Sequence, residues 1–265
     1  MRRQTRTRLL PALLLTLLAA ATASAQDFRR SYNLAPGSAI EIRNASGDIN
    51  IRGHEGSAVE VAVYKEGRDR DKVQVEDLST ADRVSLRSKY DENCNCDASL
   101  RFEVRVPRSA RFNFDKITSA SGSLHAENIT GRLNFNTASG NVELERVSGE
   151  IEAASASGNV IVKGAAGVVR ASTASGDVNV EITRLEGGGD MRFSTASGNV
   201  NVRMPQGLDA RVHLATMSGS IETNFPIQVE QSEHGPGARA RGQLGAGSRE
   251  LRATSASGNV SLKSL

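Results

Sequence analysis

Between residues 115 and 225 apolar and polar positions alternate with a period of two, in short stretches separated by glycine. In GNVELERVSGEIEAASAS (140–157), Val142 and Leu144 oppose Asn141 and Glu143, and Ile151 and Ala153 oppose Glu150 and Glu152. Alternation of this kind marks a half-buried strand. The neighbouring stretches follow the same rule, with Val160 and Val162, Val169 and Ala171, Val178 and Val180, then Met191 and Phe193 on the apolar side. Gly, Ser, Asn and β-branched Val dominate and the apolar spacing is two rather than 3.6, which argues against helix.

The strands are punctuated by one recurring unit. TASGNVEL from Thr137 returns as SASGNVIV, TASGDVNV, TASGNVNV and SASGNVSL, which places the marker glycine at Gly122, Gly140, Gly158, Gly176, Gly198, Gly219 and Gly258, with an outlier at Gly47. From Gly122 the spacings are 18, 18, 18, 22, 21 and 39, the last read as two units with one degenerate copy. A fixed period near 20 signals stacked repeats, since a strand of about five residues buries its apolar face only against another copy. The expectation is an all-β, parallel β-solenoid of about 18–22 residues per turn, each glycine-marked segment laid upon its predecessor. Ala-Ser-Gly-Asn is then a corner, in which Gly takes a positive φ and small residues let one corner sit on the next. Asn141, Asn159, Asp177, Asn199 and Asn259 hold equivalent positions and are expected to form an exposed outer ladder of side-chain hydrogen bonds.

From Gln26 to Ala110 the spacing loosens. Strand candidates fall at 39–42, 49–51, 59–64, 73–75, 84–86 and 100–106, read as wider turns of the coil or a sandwich capping it, because an open sheet edge needs cover. The segment KEGRDRDK (65–72) reads as an exposed loop or hairpin, and EQSEHGPGARARGQLGAG (230–247) as a surface loop interrupting the stack. The organisation predicted is residues 1–25 as a leader, 26–110 as an N-terminal β region and 111–265 as the regular repeats.

The leader changes the charge picture. Arg2, Arg3, Arg6 and Arg8 precede an apolar run from Leu9 to Ala21 and then Ala23-Ser24-Ala25, a secretory signal with an A-x-A cleavage site. It contains four of the 33 Lys and Arg and none of the 30 Asp and Glu, so the mature chain has 29 against 30 and a net charge near −1. The basic balance of the whole chain is thereby removed, and with it the case for a nucleic-acid partner. No later segment approaches the length of a transmembrane helix. The mature chain is expected in the periplasm, at the cell surface or outside the cell.

Candidate chemistry is sparse. Cys94 and Cys96 are the two cysteines, and three readings stand open: a local disulfide, bridges to another chain, or a redox or metal role. Zinc would want companion ligands that the sequence does not offer. His54, His125, His213 and His234 are scattered and read as solvated side chains, although His125 and His213 would be neighbours if they shared a face. The SGDV and SGNV turns differ from calcium-binding repeats in their doubled period and in Asn replacing Asp, so they read as structural corners. Glu143, Glu145, Glu150 and Glu152 could supply paired carboxylates for glycosidic cleavage. An outward acidic row is more simply a solvated face, and the chain has no Trp and three Tyr to build a sugar platform. No phosphate-binding glycine loop precedes a helix, so no cofactor is implied.

The run NASGDINI (44–51), SASGSLHA (119–126), the copies between 137 and 202, TMSGSIET (216–223) and SASGNVSL (255–262), set after a signal peptide, resembles the bacterial putative adhesin family of β-strand-repeat proteins, of the domain-of-unknown-function 4097 type. GQLGAGSRELRATSASGNVSL is similar to that family's ending, where a Gly-rich turn precedes the last strand pair. The resemblance implies a β-solenoid and an envelope or surface location, and brings no catalytic residues. The expected role is a non-enzymatic scaffold that binds an unidentified envelope or surface ligand, protein or glycan. The alternatives are a carbohydrate-active β-helix enzyme and an envelope signalling partner.

Overall fold

A computed structural model describes residues 27–92, 94–231 and 235–265; the predicted leader and His234 lie outside the described residues. Every long element is a strand, beginning with β1 (Phe28–Tyr32), β2 (Ala39–Ser46), β3 (Ile49–His54), β4 (Val59–Glu66), β5 (Val73–Asp77), β6 (Arg83–Tyr90) and β7 (Ser99–Pro107). All six early strand candidates lie within these elements, and the charged segment at 65–72 holds only the end of β4 and a single 3-10 turn, Arg70–Lys72.

From residue 111 the strands come in pairs that turn a corner at each marker glycine. They are β8 (Arg111–Ser121) with β9 (Leu124–Glu127), β10 (Thr130–Ser139) with β11 (Val142–Glu145), and β12 (Ser148–Ser157) leading into the long β13 (Val160–Ser175). Next come β14 (Val178–Arg184), β15 (Met191–Ser197) with β16 (Val200–Met204), and β17 (Ala210–Ser218) with β18 (Ile221–Thr223). The last are β19 (Val229–Gln231), β20 (Ala238–Leu244), and β21 (Glu250–Ser257) with β22 (Val260–Ser264).

Two walls result. The first runs β5-β6-β2-β8-β10-β12-β13-β15-β21-β17-β20-β19, and the second β1-β4-β7-β3-β9-β11-β13-β14-β16-β22-β18. From β2 to β17, and from β7 to β18, neighbouring strands are parallel, with Thr130 against Ser148 and Ser148 against Ala166, a step of 18 residues. Strict registry makes like residues stack. On the second wall Leu124, Val142, Val160, Val178, Val200 and Val260 form one buried file. The inward residues of both walls meet in a single apolar cluster, to which Phe112, Phe114 and Phe135 add bulk.

The structure departs from the sequence expectation in three ways. First, the sheet is mixed: β5 on β6, β1 on β4 and β4 on β7 are antiparallel, as are β20 on β17 and β19 on β20. A parallel coil leaves unpaired N–H and C=O groups at each end, and a hairpin folded back against the last strand satisfies them without a further turn. Second, the glycine-marked segments do not stack in chain order. The pair β21 and β22 inserts between the pairs containing Gly198 and Gly219, and β2 with β3 sits between the 83–107 and 111–127 segments. The interval of 39 therefore hides no degenerate copy. Third, residues 230–247 are not simply loop, because alternating Ala238, Ala240 and Leu244 bury against β17 as strand β20.

Candidate binding surface

Two files of polar side chains fix the corners. The first is buried: Ser119, Thr137, Ser155, Thr173, Thr195, Thr216 and Ser255 each lie three residues before a marker glycine and are at most 7% exposed. Each hydroxyl donates to the corner carbonyl of the adjacent rung, as in Thr137 Oγ1 to Gly122 O (2.9 Å), Ser155 Oγ to Gly140 O (2.8 Å), Thr173 Oγ1 to Gly158 O (2.8 Å) and Ser255 Oγ to Gly198 O (2.8 Å). At the N-terminal end Asn44 replaces the hydroxyl and donates to the Leu100 carbonyl at 2.7 Å. A buried polar group without a partner is costly, so the Ser or Thr that opens each repeat copy is a structural requirement. Thr173→Val, isosteric but without the hydroxyl, should lose about 1–3 kcal/mol in urea unfolding, whereas Thr173→Ser should stay near wild type because Ser155 and Ser255 already serve in the file.

The second file is the Asn and Asp ladder, and its chemistry differs from the expected side-chain pairing. The main-chain N–H of Asn159 donates to Asn141 Oδ1 (2.9 Å), that of Asp177 to Asn159 Oδ1 (2.8 Å), that of Asn199 to Asp177 Oδ1 (2.7 Å) and that of Asn259 to Asn199 Oδ1 (2.9 Å). Each side chain thus holds the backbone of the next rung. Only an acceptor oxygen is required, which is why Asp177 substitutes for Asn; it also accepts from Asn199 Nδ2 at 3.3 Å. Asn159, Asp177 and Asn199 are half-buried rather than exposed.

The marker glycines line the same corner. Gly122, Gly140, Gly158, Gly176, Gly198, Gly219 and Gly258 all have positive φ, and an added Cβ at Gly158 would overlap the carbonyl oxygen of Gly140. Cys94 and Cys96 are joined by a disulfide across Asn95, in the segment between β6 and β7.

The histidines and carboxylates are dispersed. His54 Nε2 meets the Ala58 carbonyl at 2.9 Å in its own loop. His125 lies on the second wall, with Nδ1 3.8 Å from Glu143, while His213 lies on the first, so the two do not meet. The four glutamates divide between the walls: Glu143 and Glu145 on β11, Glu150 and Glu152 on β12. Lys163 Nζ contacts Glu143 at 2.8 Å and Glu145 at 3.0 Å, and Arg170 contacts Glu150 at 2.9 Å. The Lys163 ammonium holds the Glu145 carboxyl below its ordinary range, the opposite of what a general acid needs. Among the described residues no group of three His, Cys, Asp or Glu could hold a metal ion, and no helix is long and apolar enough to cross a membrane.

The outer surfaces of the two walls differ in charge. On the second wall, Arg52, Glu127, Glu145 and Lys163 follow one another across β3, β9, β11 and β13, so both signs are present and balance. On the first wall, Arg170, Arg192, Arg252, His213 and Arg241 follow one another in register across β13, β15, β21, β17 and β20. Their inward neighbours Phe193, Ala253 and Leu214 are buried, so the file faces out. Burial, with Arg252 and Arg241 alongside, holds the His213 imidazole below its ordinary value of 6.5, against the weaker pull of Glu250. The sign follows directly: below 6.5 the unfolded chain takes up a proton that the folded chain refuses, so stability is complete above that value and falls as pH drops through the lower folded one. Melts at successive pH values should show this slope, and His213→Gln should flatten it.

Sequence reasoning found the corner glycines and the Asn file but missed the buried hydroxyls and the basic file. Both carried a signal, a fixed offset from the marker glycine: three residues before it for the hydroxyl, six for Arg170, Arg192, Arg252 and His213.

A family model described as Toastrack DUF4097 matches residues 40–263. Among solved structures the chain is similar to a putative cell adhesion protein from Clostridium sporogenes (12% identity, 90% of this chain and 99% of that one, TM-score 0.31). It is also similar to putative adhesins from Bacteroides fragilis (16%, 90% and 96%, TM-score 0.34) and Parabacteroides distasonis (12%, 90% and 96%, TM-score 0.36). No curated protein matches.

Proposed function

The chain belongs to the Toastrack DUF4097 family, and from that premise we propose that it is an exported, non-enzymatic β-solenoid scaffold that binds a ligand at the cell envelope or surface, in the manner of an adhesin. The observation that carries this reading is the rung-to-rung registry of outward side chains. Arg170, Arg192 and Arg252 repeat one position, and Ser172, Ser194 and Thr254 another, each on successive strands of one wall. Strand spacing sets the repeat at about 4.8 Å. Such a wall offers many weak, identical contacts to a ligand that is itself periodic, and weak contacts in series give strong retention. The corner files support the same role by holding the rungs in one geometry. Export rests on Arg2, Arg3, Arg6 and Arg8 before the apolar run and on Ala23-Ser24-Ala25.

The purified protein should sediment with isolated cell-envelope fragments and release no reducing sugar from them. Sustained release of reducing ends would overturn this reading in favour of a carbohydrate-active enzyme, and failure to sediment would remove the envelope as the site of binding.

A further inference from the structure

The basic file is a concentration of charge that the composition hides. The mature sequence is close to neutral, yet four guanidinium groups and one imidazole stand in line on five adjacent strands of the first wall. Arg170 and Arg252 each have one carboxylate, Glu150 at 2.9 Å and Glu250 at 3.2 Å, and their side chains remain 39% and 43% exposed. Arg192 and Arg241 are exposed and have no carboxylate partner among the described residues. Glu152 of β12 is in register with Arg170 at one end of the file; the flanking residues are Asp190, Glu250 and Arg211 on one side, and on the other Ser172, Ser194, Thr254, Ala215 and Arg239, the last in register with Glu230. Ser194 and Thr254 line a groove of about 910 Å³ against Glu230, Gln231 and residues 235–239.

Building on the adhesin-like reading, we propose that this outer face binds an acidic polysaccharide, with the uronate carboxylates of one glycan chain lying along Arg170, Arg192, Arg252 and Arg241 and the sugar hydroxyls against Ser194 and Thr254. The chemistry favours that occupant over others. A guanidinium presents a planar fork that matches a carboxylate two bonds at a time. The file delivers such a fork on four of its five strands, at successive spacings of about 4.8 Å except across His213, which suits a flexible polymer carrying one charge per residue. Neighbouring Ser and Thr donate and accept, as sugar hydroxyls require. The face has no aromatic ring among its outward residues, so it lacks the stacking platform that grips single-stranded nucleic acid or a neutral sugar, and charge pairing has to carry the binding. The interaction is electrostatic on a flat, wet surface, so its affinity must fall steeply with salt.

The test is a binding titration of the purified protein with alginate, a polyuronate, at low and moderate salt, alongside neutral dextran and single-stranded DNA. Alginate should bind, dextran should not, and DNA should bind at least tenfold more weakly. The triple variant Arg192→Gln, Arg252→Gln, Arg241→Gln should lose at least tenfold in alginate affinity and show a shallower salt dependence. The control triple Arg52→Gln, Arg203→Gln, Lys263→Gln, on the second wall, should bind like wild type. Equal loss in both triples, DNA binding as tight as alginate, or no alginate binding at all would overturn the assignment. Sedimentation with envelope fragments separates the two ideas: a basic-file triple that keeps wild-type alginate affinity refutes the glycan site, and full sedimentation of the same variant leaves the scaffold role standing. Circular dichroism melts identify any variant that has merely unfolded, and in that case single substitutions at Arg192 and Arg241, each exposed and without a carboxylate partner among the described residues, replace the triple and should each lower alginate affinity; wild-type affinity in both overturns the site.

Discussion

Val160→Asp should abolish the cooperative unfolding transition or lower Tm by about 10 °C or more. Val160 is fully buried in the aliphatic file of the second wall, in register with Val142 on one side and Val178 on the other. A carboxylate there has no cationic partner and no water, so it would either remain charged in an apolar medium or take up a proton at neutral pH, both costly. Losses above about 4 kcal/mol arise from such uncompensated burial, and at this chain length each kcal/mol is worth about 2–4 °C. Because each rung of a stack rests on its neighbours, the loss should spread to the adjacent turns. Ile161→Asp provides the comparison: one residue along, its side chain is half-exposed and faces outward between Glu143 and Asn179, so it should stay within a few degrees of wild type. Equal melts for Val160→Asp and wild type would contradict the stacked core.

Gly158→Ala should be among the more damaging single-methyl additions in the chain. Its φ of 143° lies where L side chains are strained, and the new Cβ would collide with the Gly140 carbonyl oxygen. That carbonyl also receives the Ser155 hydroxyl, so any shift that relieves the collision stretches a buried hydrogen bond. Strain and lost bonding together should exceed about 3 kcal/mol in urea unfolding. Gly207→Ala adds the same methyl at a site with nothing within 4 Å and should leave stability unchanged. A Gly158→Ala protein as stable as the Gly207→Ala one would mean that the corners are not in contact.

The sequence made the local architecture readable because the repeats impose the same demand at every rung. Alternation of Val142, Leu144, Ile151 and Ala153 gave the strands and their buried face, and the recurring Ser-Gly gave the corner. What escaped was long-range. Nothing in the text of residues 250–264 distinguishes a strand pair added at the end of the stack from one inserted beneath the last pair, since the Ser-Gly corner of SASGNVSL suits any rung. The antiparallel closures escaped for a related reason: Ala238, Ala240 and Leu244 alternate, but the glycines and charges around them read as loop. For the site, hydroxyl and guanidinium positions were written at constant offsets from Gly176, Gly198 and Gly258, yet a periodicity of about 20 residues in a polar side chain has no meaning until the strands are known to lie side by side.

The insertion of residues 250–264 between the 191–204 and 210–223 pairs bears on how the molecule comes to be made. As the chain emerges in order, the segment 210–223 reaches the growing pile before its proper underlayer exists, and its closest available seat is the one reserved for 250–264. Because both segments carry the Ser-Gly corner, that seat has to stay open, or be vacated, until 250–264 arrives. Contacts between positions this far apart along the chain are slow to form, so the seating of 250–264 between strands already made is expected to be a late step in building the finished wall, basic file included.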